Sequence, residues 1–322
     1  MKPFREISSR AVHSVNIRRE MDLHGYLLVR DLLSPQDLNP LLSDITVILR
    51  DSGWLSASTD PFERVANTAA ACADGDPAYK VVRDKVFSLQ SFHALPQHPL
   101  LQSVMKLFVG EKLLVHPKSE PRLIFPNFEP GVIHAHQDHT AIAGDEETFT
   151  AWIALHHCEP TQGPLRILDG SHRFGLQPTV EQTGYIPPGT ERGEDWHEGE
   201  IKAGDVLFFH SLTVHEAAPN RSNRLRLSLD CRFQSYEKTV DPGALVFTGS
   251  GSRSWESTYS NWTEDELMYY WRKLPLRVKP SKLELAELAQ TAATPQLRAR
   301  YSRILERLES SIPGDFVSQN VS

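Results

Sequence analysis

Gly25-Tyr26-Leu27-Leu28-Val29-Arg30 is an apolar run of strand length, and Ser34-Pro35-Gln36-Asp37 then opens a helix, with serine as its cap and proline in its first turn. Leu38, Leu41, Leu42, Ile45, Ile48 and Leu49 follow at helical spacing, so one face of that helix is expected to pack against a sheet. Residues 59–80 are rich in Ala, Asp and Pro with weak periodicity, which predicts a mobile loop or short helices. From about residue 112 to 235 the pattern changes to short β-rich runs separated by Gly, Pro, Asn and Asp, the texture of an antiparallel sandwich or barrel. Within it, Arg224 to Arg232 alternates strictly between polar and apolar. This predicts a strand with leucines on one side and Arg224, Arg226, Ser228, Asp230 and Arg232 on the other.

Residues 174–200 interrupt the β pattern with Gly175, Pro178, Gly184 and Pro187-Pro188-Gly189, and a loop of that length inside a compact domain is read as a lid. Trp255, Tyr259, Trp262, Tyr269, Tyr270 and Trp271 are read as packing a helix onto the core, with a substrate platform as the alternative. Two helices end the pattern, one from Ser281 and one from Thr294-Pro295 to about Leu308, the second with Leu297, Tyr301, Ile304 and Leu308 on one face. The chain thus reads as a single domain, 1–322, with a β core at about 112–235 and a helical extension at about 255–312.

Composition narrows the function. Hydrophobic residues make up 40% and charged residues 23% of the 322, an ordinary globular balance with room for a sizeable core. The formal charge of −7 argues against a sequence-independent grip on nucleic acid, which needs basic residues to displace phosphate counterions. Cys72, Cys158 and Cys231 are too few and too far apart for a disulfide framework or a zinc pattern, and they fit a reducing compartment. With no signal-like N-terminus and no run approaching ~20 apolar residues, the expectation is a cytoplasmic monomer or homodimer acting on a small molecule, without membrane or nucleic-acid partners.

The candidate chemistry lies in His136-Gln137-Asp138 and, far downstream, His215. On a strand, residues separated by one share a face, so His136 and Asp138 would present an imidazole and a carboxylate to one point, and His215 would complete three ligands. Two histidines and a carboxylate on one side of an ion leave open positions, an arrangement suited to non-haem Fe(II). On the alternating strand, Arg226 with Ser228 beside it would hold a dicarboxylate; a solvated polar face is the competing reading.

Taken in order, His136-Gln137-Asp138, Ala151-Trp152-Ile153-Ala154-Leu155, Gly163-Pro164-Leu165, Gly170-Ser171-His172, Gly204-Asp205-Val206, His215 and Arg226-Leu227-Ser228 resemble the phytanoyl-CoA dioxygenase family over roughly residues 17–235. The resemblance implies an Fe(II)- and 2-oxoglutarate-dependent oxygenase on a double-stranded β-helix, a cupin-like jelly roll, with flanking N- and C-terminal helices. It implies that His136, Asp138 and His215 hold iron, that Arg226 binds the distal carboxylate of 2-oxoglutarate, and that Trp152 lines the same pocket. Lys85 stands where some relatives place a co-substrate lysine. The reaction implied consumes O₂ and 2-oxoglutarate, releases succinate and CO₂, and hydroxylates a substrate of secondary-metabolite type. An acyl-CoA or amino-acid derivative, or a desaturation, epimerisation or cyclisation outcome, is the alternative. Asp138 speaks against halogenation, which in related enzymes needs a small residue there.

Substrate-side candidates are His134, which shares the parity of His136, and Arg122 and Arg232. His156-His157 depart from the family pattern, where acidic residues are common; being adjacent, at most one faces the cavity. His172 reads as a structural loop histidine. Outside the class stand a non-catalytic cupin-like binding protein, opposed by the presence of every ligand and of Arg226, and a zinc hydrolase, whose H-E-x-x-H helix is missing.

Overall fold

The structure is a computed structural model describing residues 1–13, 16–180, 183–246 and 254–311. Its strands are β1 (Lys2–Pro3), β2 (Glu6–Ser8), β3 (Tyr26–Arg30), β4 (Leu113–Val115), β5 (Glu120–Ile124), β6 (Thr148–Ala154), β7 (Leu165–Leu168), β8 (Trp196–Glu198), β9 (Val206–His210), β10 (His215–Ala217), β11 (Arg226–Ser235), β12 (Thr239–Val240) and β13 (Arg277–Val278). Its helices are α1 (Ile17–His24), α2 (Pro35–Asp51), α3 (Pro77–Phe87), α4 (Gln90–Ala94), α5 (Pro99–Val109), α6 (His139–Ile142), α7 (Trp255–Tyr259), α8 (Lys282–Thr291) and α9 (Pro295–Ser311).

Local signals explain several of these boundaries. Asp37 Oδ2 accepts from Ser34 N at 2.7 Å, closing the start of α2 as the sequence predicts. Buried Leu38, Leu41, Ile45 and Leu49 form the inner stripe of α2, each worth about 1.5–3 kcal/mol on burial. Gly25 ends α1 at φ 74°, and a Cβ there would lie 2.4 Å from His172 Nδ1, so only glycine lets the chain turn at once into β3.

The larger sheet runs β2-β3-β9-β6-β11-β4, with β5 also paired to β11; the smaller runs β1-β8-β7-β10. On the outward face of the larger sheet, Leu225, Leu227, Leu229 and Phe233 pack with Leu41 and Ile45 of α2, Val86 of α3 and Met105 of α5. The inward face carries Tyr26, Leu28, Leu207, Phe209, Trp152 and Ala154, which meet Leu165, Ile167 and Ala217 of the smaller sheet. The two sheets make the jelly-roll core, and helices cover one side of it.

Three expectations need correction. The β core is not confined to 112–235, because β1, β2 and β3 join the two sheets: Tyr26 to Val29 are buried on both faces and pair with β9. The alternating strand begins at Arg226, not Arg224, and Arg224 is exposed. The competing reading of its polar face as solvated falls away, since Arg226, Ser228, Asp230 and Arg232 are all buried. Residues 174–200 are not wholly loop: β8 lies between β1 and β7. Residues 59–80 hold two 3₁₀ turns, Pro61–Glu63 and Thr68–Ala70, before α3 begins. Trp255 and Trp271 are buried with Ile304 and Leu308 of α9 in the outer core, as the packing reading of the aromatics expects, although Leu297 is exposed. Residue 312 of the expected helical extension lies outside the described residues.

Candidate active site

His136 and His215 face each other across an isolated antiparallel bridge, each backbone N–H donating to the other's carbonyl at 3.0 Å. Their rings are 4.2 Å apart between centroids. His136 Nδ1 donates to His134 O at 2.8 Å and His215 Nδ1 to Thr213 O at 3.0 Å. A carbonyl acceptor fixes the proton on Nδ1, which leaves the Nε2 lone pair of both rings free for a metal.

Asp138 arrives by a different route from the one the sequence suggests. It sits in the αR conformation at the start of α6, so the shared direction of His136 and Asp138 comes from a turn into a helix, not from a pleated strand. Its Oδ2 accepts from Thr150 Oγ1 at 2.6 Å, and its Oδ1 lies 3.2 Å from Arg232 Nη2 and 4.0 Å from His215 Nε2. One ligand atom from each of His136, Asp138 and His215 lies within 4.8 Å of the other two. Burial alone would raise the Asp138 carboxyl, but Arg232 and both imidazoles hold it well below the usual carboxylate range. Burial, reinforced by His215, lowers His136 to about 3, so its imidazole is neutral and ligand-ready at neutral pH.

The inward face of β11 supplies the other half of the site. Arg226 is fully buried and gives only Nη1 to Ser228 Oγ at 3.2 Å, while its Nε and Nη2 have no partner. Its guanidinium lies 5.7 Å from the centroid of the Trp152 ring, and Trp152 Nε1 is likewise buried without a partner. Three buried donors without partners carry a large desolvation cost unless an anion meets them. The donor set therefore fits a carboxylate, and the two-nitrogen, one-oxygen triad fits iron.

Other candidates fall elsewhere. Lys85 is exposed on α3, whose buried face is Tyr79, Val82 and Val86, so it does not join Arg226; the correction follows from helix periodicity that a loose upstream alignment misses. His134 does not face inward but is exposed, with its ring 5.3 Å from that of Tyr185. Arg232 is a counter-ion of Asp138 instead of a substrate contact. Arg122 gives Nε to Asp230 at 2.8 Å in a partly buried pair, not on open surface. His156 is buried and serves backbone, accepting from Leu227 N at 3.0 Å, while His157 is exposed and pairs with Glu200. His172 Nε2 meets Asp22 O at 3.1 Å, the structural role read from the sequence.

Two residues escaped the sequence reading. Gln137, the middle residue of the motif, is fully buried; its Oε1 accepts from Gln177 N at 2.7 Å, and its Nε2 donates to Gly175 O at 2.9 Å and Leu212 O at 2.7 Å. It thereby ties the start of the 174–200 segment to the candidate triad. Tyr185 of that segment lies edge-on to His136 at 5.9 Å, and Ile186 N donates to Ala135 O at 2.8 Å. Thr150, which serves Asp138, also had a readable signal, being two residues before Trp152 on the same face of β6.

The family model for phytanoyl-CoA dioxygenase (PhyH) matches residues 21–228. The chain belongs to the phytanoyl-CoA dioxygenase family. The peroxisomal phytanoyl-CoA dioxygenase of Mus musculus is 22% identical over 247 residues, covering 68% of this chain and 67% of that protein. The 1-deoxypentalenic acid 11-beta-hydroxylase of Streptomyces exfoliatus is 30% identical over 241 residues, covering 67% and 79%. Among solved structures, the epimerase SnoN in complex with Fe3+, alpha ketoglutarate and nogalamycin RO is 21% identical, covers 75% of this chain and 92% of that one, and has a TM-score of 0.53, a likeness of fold. This member of the phytanoyl-CoA dioxygenase family is an Fe(II)- and 2-oxoglutarate-dependent oxygenase of small molecules. Among the described residues no helix is long and apolar enough to cross a membrane.

Proposed function

We propose that the protein hydroxylates a C–H bond of a small, secondary-metabolite-like molecule, with His136, Asp138 and His215 as iron ligands and Arg226 as the anchor of 2-oxoglutarate. The observation that carries this reading is the buried Arg226 guanidinium, whose Nε and Nη2 have no partner, on the strand face that also carries Arg232, the partner of Asp138. Hydroxylation is favoured over desaturation, epimerisation or cyclisation as the plainest outcome of hydrogen abstraction, and a relative named as a hydroxylase of 1-deoxypentalenic acid supports it.

When bound, iron with 2-oxoglutarate and O₂ supplies the oxidising power for C–H attack, with succinate and CO₂ released. The chain contributes geometry and a dry cavity. His134 O and Thr213 O orient the two imidazoles, and Thr150 and Arg232 fix the carboxylate of Asp138. Arg226, Ser228 and Trp152 Nε1 would hold the far carboxylate of the co-substrate, and the apolar wall of Leu207, Phe209 and Ile167 keeps water out. Cys72, Cys158 and Cys231 are buried and unbridged, which supports work in a reducing, cytoplasmic compartment.

The test is anaerobic addition of Fe(II) and 2-oxoglutarate, which is expected to give the weak visible charge-transfer band of a chelated 2-oxo acid. Arg226→Ala should raise the 2-oxoglutarate concentration needed for that band. No band with the wild-type protein, or an unchanged requirement in the variant, sinks the iron site or the anchor respectively.

A further inference from the structure

A single line of atoms joins the β5 edge of the larger sheet to the Asp138 carboxylate. Arg122 Nε donates to Asp230 Oδ2 at 2.8 Å, that same oxygen lies 3.7 Å from Arg232 Nη2, and that same nitrogen lies 3.2 Å from Asp138 Oδ1. Register places the whole line on the inward face. Arg122 stands opposite Ser228, Asp230 opposite Trp152, and Arg232 opposite Thr150, which bonds the other oxygen of Asp138. Side-chain exposure falls along the line, from 20% at Arg122 to 9% at Asp230 and Arg232 and 4% at Asp138.

Asp230 is not one of the three ligand residues, and its Oδ1 is buried with no partner, so its pairing runs through Oδ2 alone. A buried carboxylate with one oxygen unanswered is costly. The distances show what it does there. An undivided bond between a guanidinium and a carboxylate spans about 2.7–2.9 Å. Arg122 has such a bond with Asp230, whereas Arg232 Nη2 has one with neither acid and is shared between them at 3.2 and 3.7 Å. Burial opposes the charge on Arg232, and Asp138 with Asp230 outweighs that and holds the guanidinium above its ordinary value. With Asp230 neutral, Arg232 would close on Asp138 Oδ1 alone, and an incoming metal ion would have to break a buried one-to-one pair.

Resting on the oxygenase reading above, we propose that Asp230 is a positioning residue for the metal: it holds back Arg232, so that the Asp138 carboxylate is oriented without being neutralised. Arg122 fixes Asp230 at the outer end of the line, and Thr150 fixes Asp138 at the inner end. Arg232 is then free to yield. When a cation takes Asp138 Oδ1, the guanidinium is repelled from it and Asp230 receives it. An acid that never touches the metal thus strengthens its binding.

The test uses full-length protein with Co(II) in place of Fe(II), its affinity read from visible absorption at a temperature where circular dichroism shows each variant folded. Asp230→Asn should weaken Co(II) binding about tenfold. Glu120→Gln removes a charge from the position opposite Asp230, but Glu120 pairs with Arg83, so the affinity should change by less than about twofold. In an Arg232→Gln background Asp230→Asn should lose its effect, because the two residues act through one contact. A role confined to folding would lower the melting temperature and leave the affinity of the folded protein as it was. A second measurement needs no variant. In crystals of the wild-type protein loaded with Zn(II), Arg232 Nη2 should stand nearer to Asp230 Oδ2 than to Asp138 Oδ1, the reverse of 3.7 and 3.2 Å. Failure of the wild type to bind Co(II) overturns the triad on which the oxygenase reading rests. With that binding intact, an unchanged affinity in Asp230→Asn, an equal loss in Glu120→Gln, an effect that persists without Arg232, or an unreversed order of distances overturns the assignment of Asp230.

Discussion

Arg232 Nη2 lies 3.2 Å from Asp138 Oδ1, so the strand that begins with Arg226 also supplies, near its other end, the counter-ion of a proposed metal ligand. Arg232 lies 3.7 Å from Asp230 as well, which makes it the cation between two buried carboxylates. Arg232→Leu leaves both acids without it, and breaking a buried pair from one side costs about 3–5 kcal/mol. The metal-free variant should melt well below the wild type, and Co(II) should restore part of the difference by giving Asp138 a new cation. Metal affinity itself should fall by about 10–100-fold. Thermal melts with and without Co(II) check both statements; equal melting points would remove Arg232 from this role.

Trp152 offers a cleaner probe of the anchor. Its Nε1 is buried without a partner while its ring lies by Arg226, so Trp152→Phe deletes one donor and keeps most of the packing. The 2-oxoglutarate requirement of the visible band should rise about tenfold, the scale of one lost hydrogen bond to a charged group. Lys85→Ala, on the exposed face of α3, should leave both that requirement and stability unchanged to within about 0.5 kcal/mol.

Gln137 links the metal loop to the segment after residue 174 through three hydrogen bonds. Gln137→Leu leaves the buried Leu212 and Gln177 backbone groups, and the half-buried Gly175 carbonyl, without these partners, which should cost about 1–3 kcal/mol. Limited proteolysis should then cut between residues 175 and 195 before it cuts elsewhere, while the three ligand side chains still bind metal. Unaltered cleavage kinetics would show that the segment is held by other contacts.

Acid should destabilise the fold through two buried histidines. His93 and His116 are each lowered to about 4 by burial, with their bonds to Phe87 O and Gln234 opposing the shift. Both stay neutral in the folded chain while the unfolded chain takes up protons near pH 6.5. Stability is thus fully present above about pH 6.5 and is lost as pH falls toward 4, since there the unfolded state binds more protons. Urea midpoints measured from pH 7.5 to 4.5 should decline across this window, and His116→Gln should flatten part of the slope.

The triad and Arg226 were legible because each is embedded in a short ordered motif, even though the reason given for His136 and Asp138, a common strand face, is replaced by a turn into α6. The β-sandwich texture was legible for the same local reason. What was not legible depends on distance along the chain. Arg232 meets Asp138 across 94 positions, and nothing near Arg232 in the sequence marks that partner. β1 and β2 are two and three residues long, too short for any alternation to stand out, and they gain strand form only by pairing with β8 and β3. Lys85 failed because an aligned position says nothing about which side of a helix it occupies.

β11 has the character of a measuring edge. It runs for ten residues without a break, and at ~3.4 Å per residue its pleat sets the interval between the arginine that would grip the co-substrate and the one that steadies the iron ligand. A slip of one residue would turn both arginines to the wrong side, and a shift of two would move Arg226 by about 7 Å relative to His136, Asp138 and His215, which other segments hold. The length of diacid that the enzyme accepts is therefore written into sheet register, where single substitutions cannot retune it. Divergence within such a scaffold is left to the connecting segments, free to choose a new target while the oxidant stays the same.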